Sequence, residues 1–145
     1  MAELISEKDV RLKVAAGDWK EAIKKCGELL VENHYVEDRY VTAMIETAKE
    51  LGPYIVMAPG VAMPHARNTD GVIKSGLSII TLEHPVNFGN PDNDPVSVVV
   101  GLAGSSDETH IMLLQAIASV FGEEGTASKI AEEYTVEDIV GLFNR

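Results

Sequence analysis

The sequence predicts an α/β fold, a single-domain sandwich in which helices flank a mixed β-sheet. Three observations carry that prediction. Strand-like and helix-like hydrophobic patterns interleave in the order β-α-α-β-β-β-α-α, which calls for helices packed over a sheet. The run Val96-Ser97-Val98-Val99-Val100-Gly101-Leu102 is almost continuously apolar and rich in β-branched residues, as in an interior strand covered on both faces. At 145 residues with 46% hydrophobic content, the chain can bury a core without disulfides or a metal, and no repeat, low-complexity tract or long linker divides it.

Val10-Arg11-Leu12-Lys13-Val14 alternates apolar and polar residues and reads as a half-buried strand. Gly17-Asp18 then supplies a turn and an N-cap, with Glu21 three residues on, for a helix from about Asp18 to about Asn33. Its apolar stripe is Trp19, Ala22, Ile23, Cys26 and Leu30, so Cys26 is expected to be a buried small hydrophobe. A second helix places Tyr40, Ala43, Met44, Thr47 and Leu51 on one face and stops at Gly52-Pro53. Strand character resumes over Tyr54-Ile55-Val56-Met57, and Asn68-Thr69-Asp70-Gly71 is turn chemistry. Residues Gly76 to Leu82 form a strand bounded by Glu83-His84-Pro85.

After the 96–102 strand, Ser105-Ser106-Asp107-Glu108 offers N-caps for a helix whose stripe is His110 or Ile111, Leu114, Ile117, Ala118 and Phe121. Gly122 and Gly125 end it, and Ala127 to Glu133 is a short helical piece. Thr135-Val136-Glu137-Asp138 resembles a capping box opening a last amphipathic helix through Ile139, Val140, Leu142 and Phe143.

Composition narrows the function classes. Twenty-three acids against 12 Lys and Arg give a net charge of −11 with no basic block, so the phosphate attraction behind non-specific nucleic-acid binding is missing. Expected partners are small molecules or proteins with a basic surface. The acidic N-terminus lacks signal-peptide character and no apolar run suits a membrane span, so a cytoplasmic protein without membrane insertion is expected. A single cysteine fits a reducing compartment. There is no Gly-x-Gly-x-x-Gly, no Gly-x-x-x-x-Gly-Lys-Ser/Thr and no cysteine pair at zinc spacing; neither cofactor nor metal is expected.

The chemistry-bearing stretch is Ala58-Pro59-Gly60-Val61-Ala62-Met63-Pro64-His65-Ala66-Arg67. Proline restricts both itself and the residue before it, so Met63-Pro64 presents His65 on a stiff extended segment rather than in a helix. A neutral imidazole, with a reference pKa of roughly 6.5, keeps a free lone pair near pH 7 and suits a nucleophile. The competing reading is a strand-end histidine bonded to a carbonyl. His110 falls in the first turn of a helix and is spaced to face the sheet, as either a capped core histidine or a neutral N–H donor. His34, at a helix end, and His84, at a strand exit, read as solvated or structural.

Taken together, the Ala62-Met63-Pro64-His65 segment, the Tyr40-Val41-Thr42-Ala43-Met44 helix before it, Pro85-Val86-x-Phe88 and a helix opening at His110 resemble the IIA components of the bacterial phosphoenolpyruvate-dependent sugar phosphotransferase system (PTS), mannitol/fructose type. The resemblance spans essentially all of 1–145. Gly52-Pro53-Tyr54-Ile55-Val56-Met57-Ala58-Pro59-Gly60, Pro64-His65-Ala66-Arg67 and Asn93-Asp94-Pro95-Val96 look most like the ascorbate-specific branch. It implies a mannitol/fructose-type IIA fold and a phosphocarrier: His65 would accept a phosphoryl group on Nε2 from phospho-HPr and pass it to a cysteine of a IIB component, serving the membrane IIC transporter indirectly. His110 matches the second active-site histidine, a donor to the phosphoryl oxygens. Mannitol-type relatives carry an arginine in the preceding helix, where this chain has Glu46-Thr47-Ala48, leaving Arg67 as the candidate cation.

A carrier of this kind makes a geometric demand. One phosphoryl group can touch both imidazoles only if the rings lie within about 4–7 Å in a shallow open depression, which requires residues 65 and 110 to converge at one end of the sheet. Two alternatives use other logic: a regulatory phosphoreceiver that gates a partner through the same His65, and a binding module in which His65 is structural.

Overall fold

A computed structural model of the chain describes residues 4–123 and 125–145. Five strands form one mixed sheet in the order β1-β4-β5-β3-β2: β1 (Val10–Val14), β2 (Val56–Ala58), β3 (Val61–Ala62), β4 (Gly76–Val86) and β5 (Val96–Ala103). The pairs β1/β4 and β3/β5 are parallel, while β4/β5 and β2/β3 are antiparallel. Helices α1 (Trp19–Glu32) and α2 (Arg39–Leu51) cover one face; α3 (Asp107–Val120), α4 (Thr126–Glu133) and α5 (Val136–Phe143) cover the other. Among the described residues no helix is long and apolar enough to cross a membrane.

All eight residues of β5 are buried because the strand lies at the middle of the sheet with helices on both sides. Val99 and Ala103 point into the α1/α2 core, and Val98, Val100 and Leu102 into the α3–α5 core. The expected caps form. Asp18 accepts Glu21 N–H at 2.8 Å, Ser106 Oγ accepts Thr109 N–H at 3.1 Å, and Thr135 and Asp138 close a reciprocal box. Cys26 is fully buried, and desolvation pushes its thiol up to about 12, which keeps it inert. Gly101 makes room for it: a Cβ there would lie 2.8 Å from Cys26 Sγ and 2.5 Å from Ser78 Oγ.

Four expectations need correcting. Gly52–Ile55 is a 3-10 turn following α2, so strand β2 begins only at Val56. The Pro59-Gly60 break is a tight turn, with Gly60 at φ 80°, that returns the chain as the unanticipated strand β3. Strand β4 continues past Leu82 to Val86, with exposed Pro85 accommodated where the β4/β5 register shifts. On α3 the buried stripe is rotated: Leu113 and Ile117 are buried and Ala118 is exposed, because Ile111-Met112-Leu113-Leu114 is apolar all round and contact with β5 selects the inner side. The 127–133 piece is a two-turn helix in its own right, α4.

Candidate functional site

Strand β3 runs beside β5 in parallel register, Val61 with Val98 and Ala62 with Val99. The chain stays extended past Pro64, and His65 makes an isolated parallel bridge with Leu102, with Leu102 N–H donating to Pro64 O at 3.2 Å. The Met63-Pro64 constraint thus holds His65 out of any helix, at the end of the sheet where β5 leads into α3.

There the two histidines meet. The ring centroids of His65 and His110 are 5.1 Å apart with planes inclined at 70°, inside the separation that a shared phosphoryl group requires. Both residues are half-buried, so His65 is less exposed than its loop position suggests. Their rings line an open depression of 410 Å3 with Thr47, Arg67, Gly104 and Asp107 among its other walls.

His65 Nδ1 lies 2.9 Å from Met63 O. A carbonyl only accepts, so Nδ1 carries a proton, and in the neutral ring the lone pair is then on Nε2, which has no hydrogen-bond partner among the described residues. His110 is held below the usual histidine range by desolvation first and by the neighbouring His65 second, against a smaller upward pull from Asp107. Above pH 6.5 the ring is therefore mostly neutral with one N–H to give, and neither ring nitrogen is bonded to a described residue.

Backbone geometry fixes where His110 stands. Gly104 closes β5 against the first turn of α3 so tightly that a Cβ would lie 2.7 Å from His110 Cα and 2.8 Å from its N. Ser106 caps Thr109, leaving the N–H groups of Asp107 and Glu108 at the helix start without a described acceptor. Oriented amides and a macrodipole terminus favour an anion beside them.

Arg67 is exposed, lines the same depression and pairs with no carboxylate among the described residues. Helix α2 contributes Thr47, Glu50 and Leu51 to the wall and no cation. The two remaining histidines lie elsewhere: His34 is exposed in a left-handed conformation beyond α1, and His84 sits on the surface 3.4 Å from Glu83. Among the described residues no three His, Cys, Asp or Glu cluster to hold a metal.

Two features carry no mark in the local pattern. Gly104 looks like a loop glycine until α3 is seen against it. Tyr40 reads as one more residue of a helical stripe, yet its hydroxyl, fully buried, accepts Ala66 N–H at 3.0 Å and donates to Leu102 O at 2.7 Å. Only the position of Tyr40 on the apolar face of α2 was available as a signal.

The model of the family described as "Phosphoenolpyruvate-dependent sugar phosphotransferase system, EIIA 2" matches residues 3–145. The chain is 36% identical over 143 residues to the ascorbate-specific PTS system EIIA component of Escherichia coli (strain K12), covering 98% of this chain and 93% of that protein. Among solved structures it resembles the mannitol-specific cryptic phosphotransferase enzyme IIA CmtB of Escherichia coli, with a TM-score of 0.80 and 30% identity over 99% of this chain and 96% of that one. It also resembles the Escherichia coli complex of enzyme IIAMTL with phosphorylated enzyme IIBMTL, with a TM-score of 0.85 and 28% identity, covering 96% of each chain. By sequence and by fold, over nearly its whole length, the chain belongs to the EIIA 2 family of the phosphoenolpyruvate-dependent sugar phosphotransferase system.

Proposed function

We propose that this protein is a phosphocarrier that accepts a phosphoryl group on His65 Nε2 from the phosphohistidine of HPr and donates it to a cysteine of a IIB component. The observation that carries the reading is the His65–His110 pair 5.1 Å apart, with His65 Nδ1 spent on Met63 O and Nε2 left open. In the first transfer the Nε2 lone pair of neutral His65 forms a bond to phosphorus as the donor's P–N bond breaks. The donor ring, protonated on its other nitrogen, leaves as neutral imidazole, and His65, still protonated on Nδ1, becomes the cationic phosphoimidazole, so no external base is needed. The Met63 carbonyl steadies that cation. In the second transfer a thiolate attacks phosphorus, the N–P bond breaks and His65 returns to its neutral form.

Such a reaction asks the protein for in-line positioning and for donors on the equatorial oxygens. His110 supplies a neutral N–H, the Asp107 and Glu108 amides supply two more, and exposed Arg67 is the candidate cation. With Arg67 exposed rather than clamped, the phosphoryl group is held moderately, which suits onward transfer.

The rim suits a protein partner. Ile111 and Met112, 54% and 58% exposed, follow His110 on α3, in a chain whose net charge is −11. A small apolar contact within an acidic surface fits a transient complex with a basic-rimmed partner, in which charge raises the encounter rate. The IIAMTL neighbour, solved with phosphorylated IIBMTL, supports a IIB acceptor, and the ascorbate-specific relatives support ascorbate as the sugar served.

The test is uptake of labelled phosphate from phospho-HPr, followed by chase into candidate IIB proteins. His65→Ala is expected to reduce uptake to background while the circular dichroism spectrum is unchanged. Uptake by His65→Ala at the parent rate would overturn the assignment.

A further inference from the structure

We propose that Tyr40 is a positioning residue of this site, its hydroxyl acting as a spacer that sets how His65 stands relative to His110. The inference rests on the phosphocarrier reading above. In a parallel bridge between His65 and Leu102, two rungs are expected: Leu102 N–H to Pro64 O, and Ala66 N–H to Leu102 O. The first is present at 3.2 Å. The second is not made at normal hydrogen-bond geometry; the Tyr40 hydroxyl bonds both of its groups instead, accepting Ala66 N–H at 3.0 Å and donating to Leu102 O at 2.7 Å. Ala66 O, 3.2 Å away, is a second acceptor for the same proton.

The inserted oxygen sits between the two segments that carry the site. Ala66 follows His65 directly, while Leu102 precedes Gly104, whose backbone is packed against that of His110. The hydroxyl therefore links the His65 strand to the base of α3 at the point where the β3/β5 ladder is interrupted by a proline that has no N–H to give. Tyr40 itself cannot drift, because its side chain is fully buried in the α1/α2 core. Burial pushes its hydroxyl up to about 12, so it remains protonated and keeps its donor.

Tyr40→Phe removes the spacer and keeps the ring, freeing Ala66 N–H and Leu102 O to move together and carry His65 with them. A displacement on the order of 1 Å at a reacting centre can cost roughly 100-fold. The expected result is a fall in kcat for phosphoryl transfer from phospho-HPr of about 10- to 100-fold with KM for HPr unchanged. The His110 titration midpoint, read from imidazole 15N shifts of the unphosphorylated protein, is expected to move as the ring separation changes. A variant that melts earlier yet keeps the parent kcat and His110 midpoint would reduce Tyr40 to a core residue and overturn the proposal. Ala66 amide exchange in the unmodified protein is a second measure, independent of whether the variant folds. Protection matching that of Val98 to Val100 is expected, and exchange at exposed-loop rates would also overturn the spacer. Failure of the unmodified protein to accept phosphate would sink the carrier reading alone, since the 15N and exchange measurements judge the spacer without it.

Discussion

Two clefts of similar size lie at opposite ends of β5. One, of 410 Å3, holds His65, Arg67 and His110; the other, of 460 Å3, is lined by Lys13, Pro59, Asp94, Ser97 and Glu132 among others. The larger contains more carboxylates, but one of them is committed: Asp94 accepts the backbone N–H groups of Phe88, Gly89 and Asn90 at 2.8–2.9 Å. Asn93 likewise donates to Val56 O at 3.2 Å, bracing the strand that leads into the β2/β3 turn. At the histidine end the backbone is equally tied down, but His65 Nε2 and both His110 ring nitrogens are uncommitted among the described residues. On the phosphocarrier reading proposed above, the reacting group belongs at the end where a rigid frame leaves polar valence unspent, and void volume does not distinguish the two ends.

That contrast can be broken at either end. The larger effect belongs to the histidine end. His110→Ala is expected to slow phosphoryl transfer by about 10- to 1000-fold, the range for loss of one oriented donor, while leaving His65 able to accept the group. Stopped-flow or quench-flow transfer from phospho-HPr would measure it, and unchanged rates in both directions would return His110 to the role of a core histidine.

Asp94→Asn probes the other end. Replacing a carboxylate that accepts three amides is expected to cost about 1–3 kcal/mol, seen as a melting temperature lower by several degrees. Transfer at 25 °C should stay within about twofold of the parent. A loss of transfer comparable to that of His110→Ala would mean that the two ends are not separable.

The smallest effect is a pH dependence that sharpens the electrostatics of the pair. The folded His110 is held below its ordinary value of 6.5. The unfolded chain therefore takes up the proton first as pH falls, and the stability this group contributes is complete above pH 6.5 and is lost progressively below it, through the folded value. The melting-temperature difference between the parent and His110→Gln, taken as parent minus variant, should accordingly shrink from pH 7.5 to pH 5.5. A difference that grows on acidification would show the imidazole to be stabilised in its charged form.

Much of the frame was readable because it rests on local rules. Asp18, Ser106 and Thr135 could be assigned as caps from their position before apolar periodicity, since an N-cap satisfies amides only a few residues away. The burial of Cys26 followed from helical spacing, and the extended backbone at His65 from the proline before it. Where local signals were ambiguous, packing decided. The four consecutive apolar residues of α3 gave no unique inner face, the two-residue strand β3 was too short to show alternation, and β4 crossed a proline because a register shift absorbed it.

The candidate site divides in the same way. From the chain alone came the candidates for its reactive groups, because an imidazole after Met63-Pro64 and another in the first turn of a capped helix are properties of short segments. Their meeting was decided only by tertiary structure. His65 and His110 approach to 5.1 Å because β3 pairs with β5, because Gly104 has no Cβ to hold α3 away, and because a buried tyrosine hydroxyl occupies a missing rung. Each of these is a contact between segments far apart in sequence, and local preferences of φ, ψ and hydrophobic period carry no information about such a distance.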